Sequence, residues 1–448
     1  MPTDLEILAF DPAEPKAALA QLPPSPAVFA LYGEEAHFEP YVGRTPNLRG
    51  RLERLLQPSP RHPRRLQLAS RVRRIEWHAT GSEFESLLVQ FELLQTVYGA
   101  KSLERMHLRA PAFVRFLGGN PYPRITVTHR PSQREADWAY GPFASRAAAE
   151  RYAEEALKLF LLRRCTFELD PDPAYPGCVY SEMKMCLAPC YKGCTDERYA
   201  EEAAAVESFL ATRGESKLVV LRTQRDQASA GLAFEAAAAL HAQVQKVESV
   251  RALAPEIVRP MSRLRAVILQ ASAHAGEVAV FLFENGRLRG PASFSTLGMR
   301  IQNERSGSTS LFAQPMAIEP IPEEQGIGNR EQGTESSLAE SPKGTGFSPY
   351  AGQTQREGAL APEATPASPK PARGVLEARM EAALSELMQP MDLPGTILRQ
   401  GHLALLKRWY YRPEVRRAGE IFFPGAEDRW PIKAILRGVG RVAAISPQ

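Results

Sequence analysis

The feature that most restricts this chain is a break in composition between residues 301 and 373. Over that stretch Gly, Ser, Pro, Glu, Gln and Thr dominate and large apolar side chains are sparse. A segment of this kind buries too little apolar surface to offset the entropy of ordering it, which predicts a disordered linker. Two foldable pieces remain, 1–300 and 374–448. Because the break interrupts the chain instead of ending it, the second piece is expected to pack back on the 264–299 segment. At 448 residues the chain has room for several domains, each with its own core. No apolar run approaches the roughly 18 residues of a membrane span, and the N-terminus has no basic-then-apolar leader, so a cytoplasmic location is expected.

Ahead of the break, Pro26 to Tyr32 and Tyr41 to Arg44 are short runs rich in β-branched and aromatic residues. They flank the polar stretch Gly33 to His37, which reads as a β-hairpin. Thr45 and Pro46 then offer an N-cap and a first helical residue. On the helix that follows, Leu48, Leu52 and Leu55 share an apolar face while Arg49, Arg51 and Arg54 stay nearer solvent. The net charge is only +4, but Arg49, Arg51, Arg54, Arg61, Arg64, Arg65, Arg71, Arg73 and Arg74 crowd one segment. Such a patch can neutralise backbone phosphates, which makes DNA a partner, with Arg49, Arg54, Arg61, Arg64 and Arg65 as its expected contacts.

The hairpin and helix resemble the GIY-YIG nuclease core, and motifs farther on narrow the resemblance to the N-terminal part of the UvrC family of bacterial nucleotide excision repair. That resemblance implies a tyrosine or an oriented water approaching a phosphodiester, an arginine offsetting developing charge, and a carboxylate-bound Mg²⁺ or Mn²⁺ at the leaving oxygen. Tyr41, Gly43 and Arg51 stand at the family's second tyrosine, glycine and arginine, and Arg44 takes the lysine position. Phe29 replaces the first tyrosine, Leu55 a further tyrosine, and Ser102 an asparagine. Ser82 to Leu94 matches the helix that carries the metal glutamate, with Ser82 and Glu85 as a capping box. The glutamate itself falls on Gln90, a neutral and weak ligand for a hard cation. Glu92 lies about 200° farther around the helix and cannot simply substitute. The catalytic set Tyr41, Arg44 and Arg51 is therefore expected in a degenerate site marked by Phe29, Leu55, Gln90 and Ser102.

All five cysteines fall between 165 and 194. Cys165, Cys178, Cys186 and Cys190 follow C-x12-C-x7-C-x3-C, with Cys194 as an extra. Clustered thiols in a reducing compartment suit a metal or cluster better than disulfides. The paired C-x2-C knuckles usual for zinc are missing. Four thiolates fit a [4Fe–4S] cluster, with zinc as the alternative, and the family resemblance implies the cluster. Around it, Tyr122 to Thr128 forms a strand, Tyr140-Gly141-Pro142-Phe143 leads into a helix from Ser145 to Leu162, and Leu162-Arg163-Arg164-Cys165 closes the order of motifs.

Beyond the cysteines, Asp196–Thr212, Leu218–Ala228 and Phe234–Val250 read as helices, the last two as an antiparallel pair around Gly231. Leu232 to His241 resembles the UVR motif through which UvrC proteins pair with UvrB. Phe234, Glu235 and Leu240 are its expected contacts, with His241-Ala242 where Arg-Asp is usual. Two strands joined by Asn285-Gly286 give a type I′ hairpin signal. After the linker come a helix with Leu376, Met380, Ala383, Leu384 and Leu387 on one face, a second helix ending in Trp409-Tyr410-Tyr411, and the strand Glu420–Phe423. The RNase-H-like and helix-hairpin-helix parts of the family are not legible in this sequence.

The expected architecture is α+β and multidomain. It comprises a GIY-YIG-like domain over 1–102, a strand-helix and cysteine region over 103–195, and a UVR-like helical hairpin over 196–255. A β-hairpin segment follows over 256–300, then a linker over 301–373 and an α+β unit over 374–448. Three functions fit: a UvrC-like repair protein that binds DNA or a UvrB-like partner with a degenerate nuclease site; an active, metal-dependent, structure-specific DNA endonuclease; or an iron–sulfur interaction scaffold.

Overall fold

The computed structural model describes residues 5–34, 38–57, 68–299 and 373–445. The linker, the tip of the first hairpin and three candidate DNA contacts, Arg61, Arg64 and Arg65, lie outside these. The described architecture is multidomain α+β, with three four-stranded sheets joined by helices. No helix among the described residues is long and apolar enough to cross a membrane.

The first sheet begins with β1 (Glu6–Ala9) and α1 (Pro15–Ala20). It continues through β2 (Ala27–Gly33), β3 (Tyr41–Thr45), α2 (Leu48–Leu56) and β4 (Val72–Ala79). Its order is β1-β4-β2-β3, antiparallel throughout, with Phe29 opposite Gly43 and Leu31 opposite Tyr41. Residues paired directly across strands share a face. Phe29, Tyr41 and Gly43 therefore lie on the side where Leu48, Leu52 and Leu56 of α2 pack, and Val28, Val42 and Arg44 lie on the other. Two local expectations change. Leu56, not Leu55, completes the buried stripe of α2, and Leu55 is half-buried. The N-cap is Asn47, whose Oδ1 accepts from Gly50 N at 2.8 Å. Pro46 disfavours helical backbone at the residue before it, so Thr45 stays extended and its hydroxyl accepts from Asn47 N at 3.2 Å instead.

β4 had no sequence signal beyond a run of arginines, yet it lies between β1 and β2. Val72, Ile75 and Trp77 fill its core face, while Arg74 stacks on Tyr32 at 4.4 Å and Arg73 meets Glu34 at 3.4 Å. Next come α3 (Glu83–Tyr98) and the short α4 (Ser102–Arg105). Helix α3 is buried on two sides. Val89 and Leu93 pack against Val28 and Val42 of the first sheet. Phe84 stands edge-on to Phe281 and Trp409, with ring centroids 5.3 and 5.5 Å apart.

The second sheet holds β5 (Ala112–Phe116), β6 (Ile125–Thr128) and β7 (Ala139–Phe143), covered by α5 (Arg146–Leu157). Tyr140-Gly141-Pro142-Phe143 is thus a fully buried strand and not a connection, and its helix stops at Leu157. Gly141 is needed there because a Cβ would meet Phe113 at 2.5 Å. A loop with α6 (Val179–Glu182) carries the cysteines. Then α7 (Asp196–Ala211), α8 (Glu215–Ala230) and α9 (Phe234–Ala252) run to β8 (Arg259–Pro260), which closes the order β6-β5-β7-β8.

The third sheet forms from β9 (Ala266–Ala271), β10 (Glu277–Glu284) and β11 (Arg287–Ser295), and it recruits a strand from beyond the linker. After α10 (Arg373–Leu387) and α11 (Thr396–Tyr410), β12 (Glu420–Phe422) pairs antiparallel with β9, Ile421 opposite Ile268. Helix α12 (Ile432–Ile445) ends the described chain. Strand β10 alternates strictly: Val278, Val280 and Leu282 face α10 and α12, while Ala279, Phe281 and Phe283 join the core that contains α3 and α11. Residues 266–295 and 373–445 therefore form one α+β unit. Asn285 and Gly286 take left-handed φ of 52° and 76° at the hairpin turn, as the Asn-Gly pair requires.

Candidate nucleic-acid and cysteine sites

The nuclease-like residues divide between the two faces of the first sheet. Phe29 is fully buried beneath Tyr41, their ring centroids 6.0 Å apart, and Tyr41 is itself 39 % exposed. The far end of the Phe29 ring abuts Gly43, where a Cβ would meet Cζ at 2.9 Å. Arg51 projects from α2 half-buried, and its guanidinium has no hydrogen bond or ion pair among the described residues. Arg49 is committed elsewhere, its Nε donating to Leu22 O at 2.7 Å, so it ties α2 to the preceding loop. Arg54 is exposed and bonds the Gly50 carbonyl of its own helix.

On the opposite face Arg44 meets the start of α3. Its Nη1 lies 3.4 Å from Glu83 Oε1. Arg412, from the end of α11, forks onto the same carboxylate, with Nη1 to Oε2 and Nη2 to Oε1 both at 2.8 Å. Bidentate hydrogen bonding from Arg412, helped by both positive charges, pulls the Glu83 carboxyl down to about 2. A cleft of about 390 Å³ opens beside this cluster, bordered by Arg412, Pro413 and Arg416. Nothing in the sequence announces a pair 329 residues apart, so this junction was missed.

Gln90 follows Glu83 on nearly the same helical stripe, two turns along. It is half-buried and makes no side-chain hydrogen bond among the described residues. The carboxylates of α3 are all committed elsewhere. Glu83 is clamped by arginine, and Glu85 is buried with Oε2 accepting from Gly81 N at 2.8 Å. Only the Ser82 half of the expected capping box forms at the N-cap. Glu92 turns toward α11, with Oε1 4.0 Å from His402 Nε2, and burial raises its pKa. Ser102 is fully buried and donates to Gln95 Oε1 at 2.8 Å. Among the described residues no three His, Cys, Asp or Glu side chains converge to hold a single metal ion.

The cysteines lie on a loop with left-handed turns at Lys184, Ala188 and Lys192, and all five are free thiols. Burial raises the Cys186 thiol, and the neighbouring Cys178, Cys190 and Cys165 raise it further. The Cys190 thiol is also raised by burial, with contributions from Cys178 and Cys165. Cys165 and Cys178 thus act on both of these thiols. Cys194 is raised by its own burial, then by Asp196, and also by Cys190. Arg163, almost wholly buried, anchors the loop: it donates to Cys165 Sγ at 3.4 Å, Tyr122 O at 2.9 Å and Phe167 O at 2.9 Å.

Helices α8 and α9 pack along their lower halves through Leu218, Leu221, Val244, Val247 and Val250. Their tip is bare. Leu232 is 73 % and Phe234 65 % exposed, and Glu235 is exposed beside them. Leu240 departs from expectation, being half-buried against the chain's own core. His241 pairs with Gln245 on the surface. Farther on, Trp409 and Tyr411 are packing residues: Trp409 Nε1 donates to Ala418 O and Tyr411 Oη to Pro142 O, both at 2.9 Å.

Comparison with known proteins gives one direction. Residues 113–209 match the UvrC/Cho excinuclease middle domain family. Similar curated proteins are UvrABC system protein C of Alcanivorax borkumensis, 26 % identical over 299 residues, covering 67 % of this chain and 48 % of that protein. The same protein of Carboxydothermus hydrogenoformans is 27 % identical over 278 residues, covering 62 % and 45 %. The chain spans about half the length of the curated relatives it matches. No solved structure matches.

Proposed function

We propose that this UvrC-like protein acts in nucleotide excision repair by binding DNA and a UvrB-like partner, with a nuclease-like site that no longer cuts. The observation that carries this reading is the fate of the helix that would hold the metal. Its glutamate position is Gln90; Glu83 is clamped by Arg412, Glu85 accepts from the Gly81 amide, and Glu92 turns toward α11. A phosphodiesterase that relies on one hard cation needs an anionic oxygen facing the phosphate. Tyr41 and Arg51 remain accessible on one side of the first sheet, where with Arg54 they suit phosphate contact without hydrolysis.

Incision of a labelled duplex carrying one bulky lesion tests this directly. The assay uses anaerobically purified protein with Mg²⁺ or Mn²⁺, with and without UvrA and UvrB. Binding without nicking is the expected result. Metal-dependent nicking that disappears in Arg51→Ala would establish the alternative, an active endonuclease whose metal is held by another carboxylate.

In the same reading Cys165, Cys178, Cys186 and Cys190 hold a [4Fe–4S] cluster that ties together the loop between β7–α5 and α7. It would supply rigidity, since no redox partner site adjoins it. Iron and acid-labile sulfide in that preparation support the cluster, whereas zinc in their place rejects it. The bare tip of the α8–α9 hairpin is the partner surface, with Phe234 as its anchor. Phe234→Glu is expected to weaken capture of UvrB by at least about tenfold while leaving the thermal melt unchanged, because an exposed side chain adds little to the fold. Unchanged capture would return the hairpin to a purely internal role.

A further inference from the structure

A cavity of about 600 Å³ lies between the α7–α8 junction, the chain around β8 and the loop after β12. It contains none of the nuclease-like or cysteine-loop residues. Four arginines line it, Arg213, Arg259, Arg263 and Arg265, against the carboxylates of Glu427 and Asp428.

Two of the arginines form fixed walls. Arg259 lies over the Phe423 ring at 4.6 Å, with Nε donating to Glu256 O at 3.1 Å and Nη2 to its carboxylate at 3.3 Å. Arg265 lies over Trp430 at 5.2 Å, 2.7 Å from Glu284 and bonded to Asp428. Glu427 is turned to Arg429 at 3.1 Å. The other two arginines have no carboxylate partner among the described residues. Arg263 is exposed, and Arg213 gives one Nη to Ala254 O at 3.3 Å while its buried Nε has no hydrogen-bond partner. The left-handed backbone of Arg213 and Gly214, φ 52° and 86°, sets the turn that carries Arg213 to the cavity.

Guanidiniums held over aromatic rings, beside others with unused donors, match the fork geometry of phosphate oxygens. We propose that this cavity binds a phosphate group, contacted by Arg213 and Arg263 and walled by Arg259 and Arg265. A free polyphosphate and the backbone of a nucleic-acid strand present the same chemistry.

The test uses the full chain at low salt, titrated calorimetrically with inorganic pyrophosphate and by anisotropy with a short fluorescent single-stranded oligonucleotide. Arg263→Glu should weaken binding by about tenfold or more, Arg263→Lys should retain most of it, and Arg408→Ala, on an exposed part of α11, should leave it unchanged. Arg213→Asn provides a second variant, since asparagine tolerates left-handed backbone. Pyrophosphate binding sensitive to these changes identifies a free or terminal phosphate. Sensitivity confined to the oligonucleotide identifies a backbone phosphodiester. Binding of both probes that is equal in wild type and Arg263→Glu, or no binding of either to wild type, overturns the proposal.

Discussion

Gly401→Val should lower the unfolding free energy by about 3 kcal/mol or more and disrupt the joint between α3 and α11. A Cβ at Gly401 would sit 1.9 Å from Phe91 Cζ, with two further ring atoms within 2.5 Å. Phe91 cannot swing away, because it is fully buried and stands edge-on to His402 with centroids 5.6 Å apart. The helices must therefore separate, and they hold the first sheet to the third. Against this, replacing a helical glycine gains at most about 1 kcal/mol of propensity, and valine gains less than alanine. Urea unfolding measures the difference. A midpoint within error of wild type would mean that the helices do not cross at Gly401.

Acid should weaken the same joint through His402. This imidazole is fully buried, and its Nδ1 accepts from Leu288 N at 3.0 Å, which places any proton of the neutral ring on Nε2. Burial, with some help from Arg287, holds its pKa at about 3 against an ordinary 6.5. Between those values the unfolded chain binds more protons than the folded one, so stability rises with pH. Its contribution is complete above 6.5 and is lost progressively as pH falls toward 3. From pH 7 to pH 5 the loss is about 2 kcal/mol on this count. Glu92 acts in the opposite sense. Burial raises its pKa, so the folded state takes up its proton first and gains from acid between the ordinary carboxylate range and the raised value. His402→Gln is expected to flatten or reverse the loss between pH 7 and pH 5, and Glu92→Gln to steepen it. Identical slopes in wild type and His402→Gln would remove His402 as the cause.

These two residues also show why Glu92 does not replace the glutamate absent at position 90. Helix geometry alone placed it on another face, and the structure shows that face buried against α11. The residues at the nuclease-like positions were likewise legible, since Phe29, Leu55, Gln90 and Ser102 are identities that need no coordinates. So were the Asn285-Gly286 turn, the helices flanking Gly231 and the apolar face of α10, because each follows from a local period or a local backbone requirement. Strand β4 was not legible. Its arginines read as part of a DNA-contacting patch, whereas in the structure Arg74 stacks on Tyr32 and Arg73 meets Glu34 at the edge of the neighbouring strand.

The sequence by itself determined which residue types stand where: the change of composition over 301–373, a glutamine at position 90, and four cysteines spaced C-x12-C-x7-C-x3-C. Those depend on composition and on residue identity within a turn or two of chain. Only the tertiary structure decided that β12 completes the third sheet, that Arg412 clamps Glu83, and that four arginines from separate segments line one cavity. Contacts across hundreds of residues leave no local period to read. They are selected by the burial of apolar faces that no single segment can cover, and the polar pairs form where that burial brings them together.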